Sequence, residues 1–201
     1  MIHNLATKLA SLFVLYGESA DDDVDIYAYG CEAIISSIVN IGVAMMISFI
    51  FGRVLEGIIF MAVFALLRRY TGGYHADTHF KCIVTFNTIL VFALVLVSME
   101  SRLEPSFLNS NILTASIASI SLIGIFAMAP VENENKPIDK ELYPKTKRIS
   151  RWMTIALWTI CLINIYIIDI YIMNGNFGFI ISLSMFSVFG SLAYANPHLK
   201  P

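Results

Sequence analysis

Long apolar runs alternate with short polar intervals along this chain, and the runs set its architecture. Six of them read as membrane spans: Cys31–Phe51, Val54–Leu67, Lys81–Met99, Ile112–Ala129, Trp152–Met173 and Phe177–Tyr194. Most are about 18–22 residues long and nearly free of charge, the length an α-helix needs to cross a bilayer core of roughly 30 Å. The second is short unless it runs on to Tyr70. The fifth and sixth are joined by Asn174-Gly175-Asn176, a turn-forming trio that makes them an antiparallel hairpin. Ahead of the spans, Ile2, Leu5, Leu9, Leu12, Phe13 and Tyr16 recur every three or four residues and share one helical face. This segment, within residues 1–20, is too short and polar to span. It fits an amphipathic helix lying in the membrane interface, or a helix packed on the protein's own inner face. The expected fold is therefore all-α. It is an integral membrane helical bundle of six transmembrane helices plus an N-terminal amphipathic interfacial helix, one domain over residues 1–201.

Composition strengthens this picture. Hydrophobic residues make up 57% of the 201 and charged residues 14%, against roughly 45–50% and 25% in soluble domains. The basic residues sort decisively. With both termini and the connections after spans two and four on one side, that side holds Lys8, Arg68, Arg69, Lys81, Lys136, Lys140, Lys145, Lys147, Arg148, Arg151 and Lys200. The other holds Arg53 and Arg102. Positive charge gathers on the cytoplasmic side, so the expectation is a multi-pass protein of the cell membrane with both termini cytoplasmic. Trp152 and Tyr171 fit aromatic anchors at the two ends of span five. The segment 130–151 becomes a cytoplasmic basic loop whose prolines and mixed charge argue against a packed core. It suits an electrostatic hold on anionic lipid heads or a surface for an acidic partner segment. The lipid bilayer is a partner by construction of the fold, and nucleic acid is not expected to be one.

The remaining polar features are read modestly. Lys8 and the acidic Asp21-Asp22-Asp23-Val24-Asp25 argue against an N-terminal signal peptide. The acidic run is a solvated linker or, with ligands from elsewhere, a divalent-cation site. Asp169 lies inside span five, where a carboxylate reaches the outer interface, pairs with a neighbouring helix or marks an ion path. Cys31 and Cys161 read as apolar packing residues. Their wide spacing from Cys82 gives no disulfide framework and no zinc-type cysteine pair.

Chemistry concentrates in one polar island between spans two and three, Arg68-Arg69-Tyr70-Thr71-Gly72-Gly73-Tyr74-His75-Ala76-Asp77-Thr78-His79-Phe80-Lys81-Cys82. Arg68 and Arg69 complement the dipole at the C-terminus of their helix. Gly72 or Gly73 can supply the positive φ that ends it, leaving His75 in non-helical backbone. Asp77 or Thr78 is suited to cap the next helix, which puts Cys82 in its first turn or just beyond. A thiol there, beside Lys81 and with an imidazole in reach, is placed to act as thiolate nucleophile with His75 as base. On one continuous helix the two would be separated by about 10.5 Å along the axis, so the pair works only if the chain turns between them. Three other readings use the same residues. His79, three positions from Cys82, is an alternative base. His75, His79 and Cys82 could ligate a metal, which for zinc requires a fourth ligand or water. A purely structural role is the third.

The nine residues Arg68 to Ala76, followed by Cys82, resemble the signature of the accessory gene regulator B (AgrB) membrane peptidases. Ala129-Pro130-Val131 through Asn135-Lys136-Pro137-Ile138 resembles that family's cytoplasmic loop. The resemblance covers nearly the whole chain. It implies a cysteine endopeptidase in quorum-sensing signal production, without cofactor or metal. Such an enzyme cleaves the C-terminal tail from an AgrD-type precursor peptide and promotes thiolactone or lactone closure of the rest. It implies His75 and Cys82 as the catalytic pair, with Arg68, Arg69, Gly72 and Gly73 in support, and it leaves His79 without a counterpart. Arg68, Arg69 and the basic 145–151 cluster could attract the acidic tail or anchor the membrane surface. A homodimer is a reasonable expectation for so small a membrane protein. A small multi-pass transporter or peptide exporter is the alternative, and it requires polar groups such as Asn40, Asn87, Asn164 and Asp169 to line a path.

Overall fold

The computed structural model describes residues 2–16, 24–74, 76, 78–100, 107–131, 141–165 and 177–196. Among them the chain is all-helical: α1 (Ile2–Tyr16), α2 (Val24–Ile50), α3 (Val54–Thr71), α4 (His79–Glu100), α5 (Phe107–Met128), α6 (Tyr143–Ile163) and α7 (Phe177–Ala195). No strand occurs among the described residues beyond one isolated bridge, Gly72 to Val131. Among the described residues four helices are long and apolar enough to cross a membrane: α2, α4, α5 over Asn111–Met128, and α7. The other two expected spans carry charge. The 18 residues of α3 include Glu56, Arg68 and Arg69, and α6 opens with Lys145, Lys147, Arg148 and Arg151. The turn at 174–176, with Asp169 and Tyr171, lies outside the described residues.

Helix boundaries differ from the sequence reading in an instructive way. The helices outrun the apolar runs. α2 begins at Val24, seven residues before Cys31, and takes in Asp25 from the acidic stretch. α3 continues through Arg68-Arg69-Tyr70 to Thr71. The largest difference is at the basic loop. Tyr143 to Arg151 form the first turns of α6, with Pro144 near the helix start, where its fixed φ is favourable and its missing N–H costs nothing. The front of that loop is also packed, since Ala129, Pro130 and Val131 are all buried. Hydropathy marks where lipid ends, whereas backbone hydrogen bonding carries a helix on into the polar layer.

The bundle is organised around α7, which packs against α3, α4, α5 and α6. Its residues Gly178 to Met185 are buried without interruption. It is free of charge, and its serines find partners at home: the Ser182 hydroxyl donates to the Phe179 carbonyl at 2.7 Å, and that of Ser184 to the Phe60 carbonyl of α3 at 3.1 Å. On one side Val63, Leu67, Ile125, Cys161, Met185 and Leu192 form a core. On the other Phe60, Phe86, Leu90, Leu94, Ile180 and Leu183 form a second, with the Phe64 and Phe86 rings in edge contact at 5.1 Å. Lipid removes the hydrophobic drive between helices, so close approach and interhelical polar contacts must supply cohesion. Gly57 admits Ser48 of α2, and Gly124 admits the Phe189 ring of α7. The Asn87 amide donates to Asn40 at 2.7 Å, tying α4 to α2. The Trp158 indole donates to Ser119 at 3.1 Å, tying α6 to α5.

At the N-terminus, α1 packs along α2. Ala6 and Ala10 are buried while Leu5 and Leu9 stay exposed. The broad outer face of α2, including Ile34, Ile38, Met46 and Phe49, is likewise exposed.

Candidate functional site

The polar island sits where the ends of α3, α5 and α7 converge. α3 stops because Gly72 adopts φ 71°, ψ −141°, a combination open in practice only to glycine. Gly73 follows at φ 109°. A Cβ at Gly72 would run into the Val131 carbonyl oxygen. That close approach is the parallel bridge between the two segments, closed by the Val131 N–H donating to the Thr71 carbonyl at 2.9 Å. Thr71 is fully buried, so its carbonyl needs this donor. The turn after α5, with a cis Ala129–Pro130 bond, thus seats directly on the end of α3.

The last turn of α7 holds the island from a second side. The Tyr74 N–H donates to the Ser191 carbonyl at 3.3 Å and to its hydroxyl at 3.2 Å. The Arg68 guanidinium donates to the same hydroxyl and reaches the Gly72 carbonyl at 3.4 Å. The Tyr74 ring meets Tyr194 edge-on, centroids 5.1 Å apart. Ser191 therefore grips the residue just before His75 and the arginine one helical turn before the glycines. Arg68 also lies over the Phe64 ring at 5.8 Å. Arg69 is exposed and lies 5.7 Å from its neighbour Tyr70's ring.

α4 then starts afresh. The Thr78 hydroxyl accepts from the Lys81 N–H at 3.3 Å, an N-cap bond to the third helical residue. The Cys82 N–H donates to the Thr78 carbonyl at 3.1 Å. Cys82 is therefore the fourth helical residue, and it is exposed. His75 and Asp77 lie outside the described residues. Their described neighbours Tyr74, Ala76 and Thr78 are non-helical, so the chain is not one continuous helix between positions 75 and 82. His79 turns to α2, its Nε2 3.5 Å from Glu32 Oε2. Among the described residues no group of three or more His, Cys, Asp or Glu is placed to hold a metal ion. Cys161 is buried and Cys31 half-buried.

Comparison with known proteins decides the family. The model of Accessory gene regulator B matches residues 3–192. The chain belongs to the AgrB family. AgrB-like protein 2 of Clostridium perfringens strain 13 is 25% identical over 175 residues, covering 87% of this chain and 81% of that protein. An AgrB-like protein of Clostridium perfringens strain SM101 is 30% identical over 158 residues, covering 75% and 70%. One from Listeria monocytogenes serotype 4a is 27% identical over 162 residues, covering 79% and 76%. No solved structure matches. The AgrB family is a membrane-associated, peptidase-like family of agr quorum sensing, associated with AgrD processing.

The two AgrB-like segments, Arg68–Ala76 and Ala129–Ile138, are 50 or more residues apart in sequence, yet Gly72 and Val131 join them. Sequence reasoning missed three features. Ser191 and Tyr194 carry no distinguishing signal in an apolar helix already rich in serine. The Glu32–His79 contact was hidden because α2 was begun at Cys31, which placed Glu32 at the margin of the lipid run. The backbone role of Val131 is invisible to side-chain chemistry. The paired glycines and the Thr78 cap were legible, because each is a local rule.

Proposed function

We propose that this chain is a multi-pass membrane cysteine endopeptidase that cleaves the C-terminal tail from an AgrD-type precursor peptide and promotes ring closure of the remainder. The observation that carries this is the start of α4. An exposed cysteine sits four residues into a freshly capped helix, and Tyr74, Ala76 and Thr78, the described residues ahead of it, are non-helical. A helix N-terminus favours an anion on its first turn. Membership of the AgrB family supports the same chemistry.

In this mechanism His75 takes the Cys82 proton, and the thiolate sulfur attacks the carbonyl carbon at the junction with the tail. The tetrahedral adduct collapses, the C–N bond breaks, and the tail leaves as an amine carrying the proton from the imidazolium. The peptide remains as a thioester on Cys82. A cysteine or serine within that peptide then attacks the thioester carbonyl and gives its proton to His75. The Cys82 thiolate departs, is reprotonated, and leaves a thiolactone or lactone. Exchange of one thioester for another is near balance, so water must be kept from the acyl group for the ring to form. Arg68 and Arg69 supply positive charge for an acidic tail. Counting α3 and α6 as spans alongside α2, α4, α5 and α7 gives six crossings with both termini and the site cytoplasmic. The convergence of the ends of α3, α5 and α7 supports that arrangement.

The test is co-expression of the precursor with wild type, Cys82→Ala and His75→Ala, following the tail by mass spectrometry. Both variants are expected to leave the precursor intact; continued release by Cys82→Ala would overturn the mechanism. An exporter needs a polar path, whereas Asn40 and Asn87 are engaged with each other and Asn164 accepts from the Gly178 N–H at 2.8 Å.

A further inference from the structure

A groove opens between the end of α5 and the first turns of α6. Phe126, Pro144, Lys147, Arg148, Arg151, Trp152 and Ile155 line about 420 Å³ of it. Arg151 lies over the Phe126 ring, its Cζ 4.1 Å from the centroid. It donates to the Phe126 carbonyl at 3.4 Å, yet its Nε is buried with no acceptor. A buried guanidinium N–H without a partner is costly, and it is the kind of group that an oxyanion satisfies. The ion pairs Arg53–Glu56 and His79–Glu32, each between described residues, do not involve Lys147, Arg148 or Arg151. The walls are apolar, and Trp152 is 68% exposed. The ligand that fits must therefore be anionic at one end and apolar at the other.

We propose that this groove is a headgroup site for an anionic phospholipid. The phosphate is held by Arg151 with Lys147 and Arg148, and the upper acyl chains lie against Trp152 and Ile155. Two observations favour lipid over the acidic tail of a peptide substrate. Cys82 stands on α4, which packs chiefly against α2, α7 and α3, whereas the groove belongs to α5 and α6. Trp152 and Ile155 also lead from the basic residues along the apolar part of α6, where an acyl chain would continue and a polar peptide would not. A cationic pocket flanked by an interfacial tryptophan matches the level of lipid phosphates. The inference does not depend on the peptidase mechanism.

The experiment uses full-length protein in mixed micelles, with tryptophan fluorescence quenched by brominated-chain lipids. Brominated phosphatidylglycerol is expected to quench at lower mole fraction than brominated phosphatidylcholine, by about fivefold for each engaged cation. Arg151→Gln should lower that preference, and the triple change Lys147→Gln, Arg148→Gln, Arg151→Gln should abolish it. Cys82→Ala should leave it unchanged. A triple variant that keeps the preference overturns the proposal. Relief of quenching by soluble glycerol phosphate at matched concentration would reassign the groove to a free phosphate compound. Relief by a glutamate-rich peptide would reassign it to an acidic protein segment. Measuring Arg151→Lys, which keeps the charge, guards against loss of fold in the glutamine variants; it should retain most of the preference.

Discussion

Replacing Gly72 with alanine tests how the island is held. Three costs add. The φ 71°, ψ −141° conformation is one that a Cβ disfavours by about 1–3 kcal/mol. The new methyl overlaps the Val131 carbonyl oxygen, so the segment after α5 must lift away. Lifting breaks the Val131 N–H to Thr71 carbonyl bond and strands a buried acceptor, a further 1–3 kcal/mol or so. The strain is relieved in part by the movement, so a net cost of about 3 kcal/mol is reasonable. That corresponds to roughly a hundredfold shift in the seated population. The assay pairs the rate of tail release with the amount of protein in the membrane fraction, because the damage is confined to one junction and the helices should still assemble. The expected result is at least a tenfold loss of release at near-normal abundance. Gly52→Ala is the control: it also has positive φ, but no atom lies within 4 Å of its Cβ position, so only the modest left-handed penalty applies. Equal activity of Gly72→Ala and wild type would refute the reasoning, and so would equal losses at positions 72 and 52.

Two further outcomes follow from the same junction. Ser191→Ala removes the hydroxyl that accepts from Tyr74 and Arg68 but keeps the carbonyl that also accepts from Tyr74. The release rate should fall severalfold with little change in half-saturating precursor, and Ser191→Thr should restore it; an unchanged rate in the alanine variant would remove Ser191 from the positioning of the island. A thiol-alkylating reagent applied to membranes at neutral pH should modify exposed Cys82 first, half-buried Cys31 more slowly and buried Cys161 only after unfolding. Mass mapping that finds Cys161 modified alongside Cys82 in the folded protein would contradict the packing of α6 on α7.

What could be read from the sequence was whatever a local rule controls. Apolar runs located the helices, paired glycines located the end of α3, and the Asp77-Thr78 pair bracketed the start of α4, where Thr78 supplies the cap. Boundaries were missed where a helix runs beyond its apolar stretch into charged sequence, as at Tyr143–Arg151, because hydropathy reports the solvent and not the hydrogen bonding. Tertiary partners were missed for a different reason. Nothing about Ser191 or Val131 as residue types distinguishes them from the other serines and valines of the chain. Their roles come from which helix ends meet, and that is set by how α7 threads the bundle. Likewise the buried, unpartnered Arg151 Nε follows from the nearness of Phe126, 25 positions earlier.

The place of Ser191 has a consequence for biosynthesis. Chains are made and inserted from the N-terminus onward, so the island, its cysteine and the segment that seats on Gly72 all reach the membrane before α7 does. Until α7 arrives, Tyr74 lacks both of its Ser191 acceptors, Arg68 lacks the Ser191 hydroxyl and the two cores lack their shared helix. A half-made chain therefore presents a thiol without the frame that orders its neighbours. The ordering of the island therefore waits on α7, which is translated after every segment that it holds.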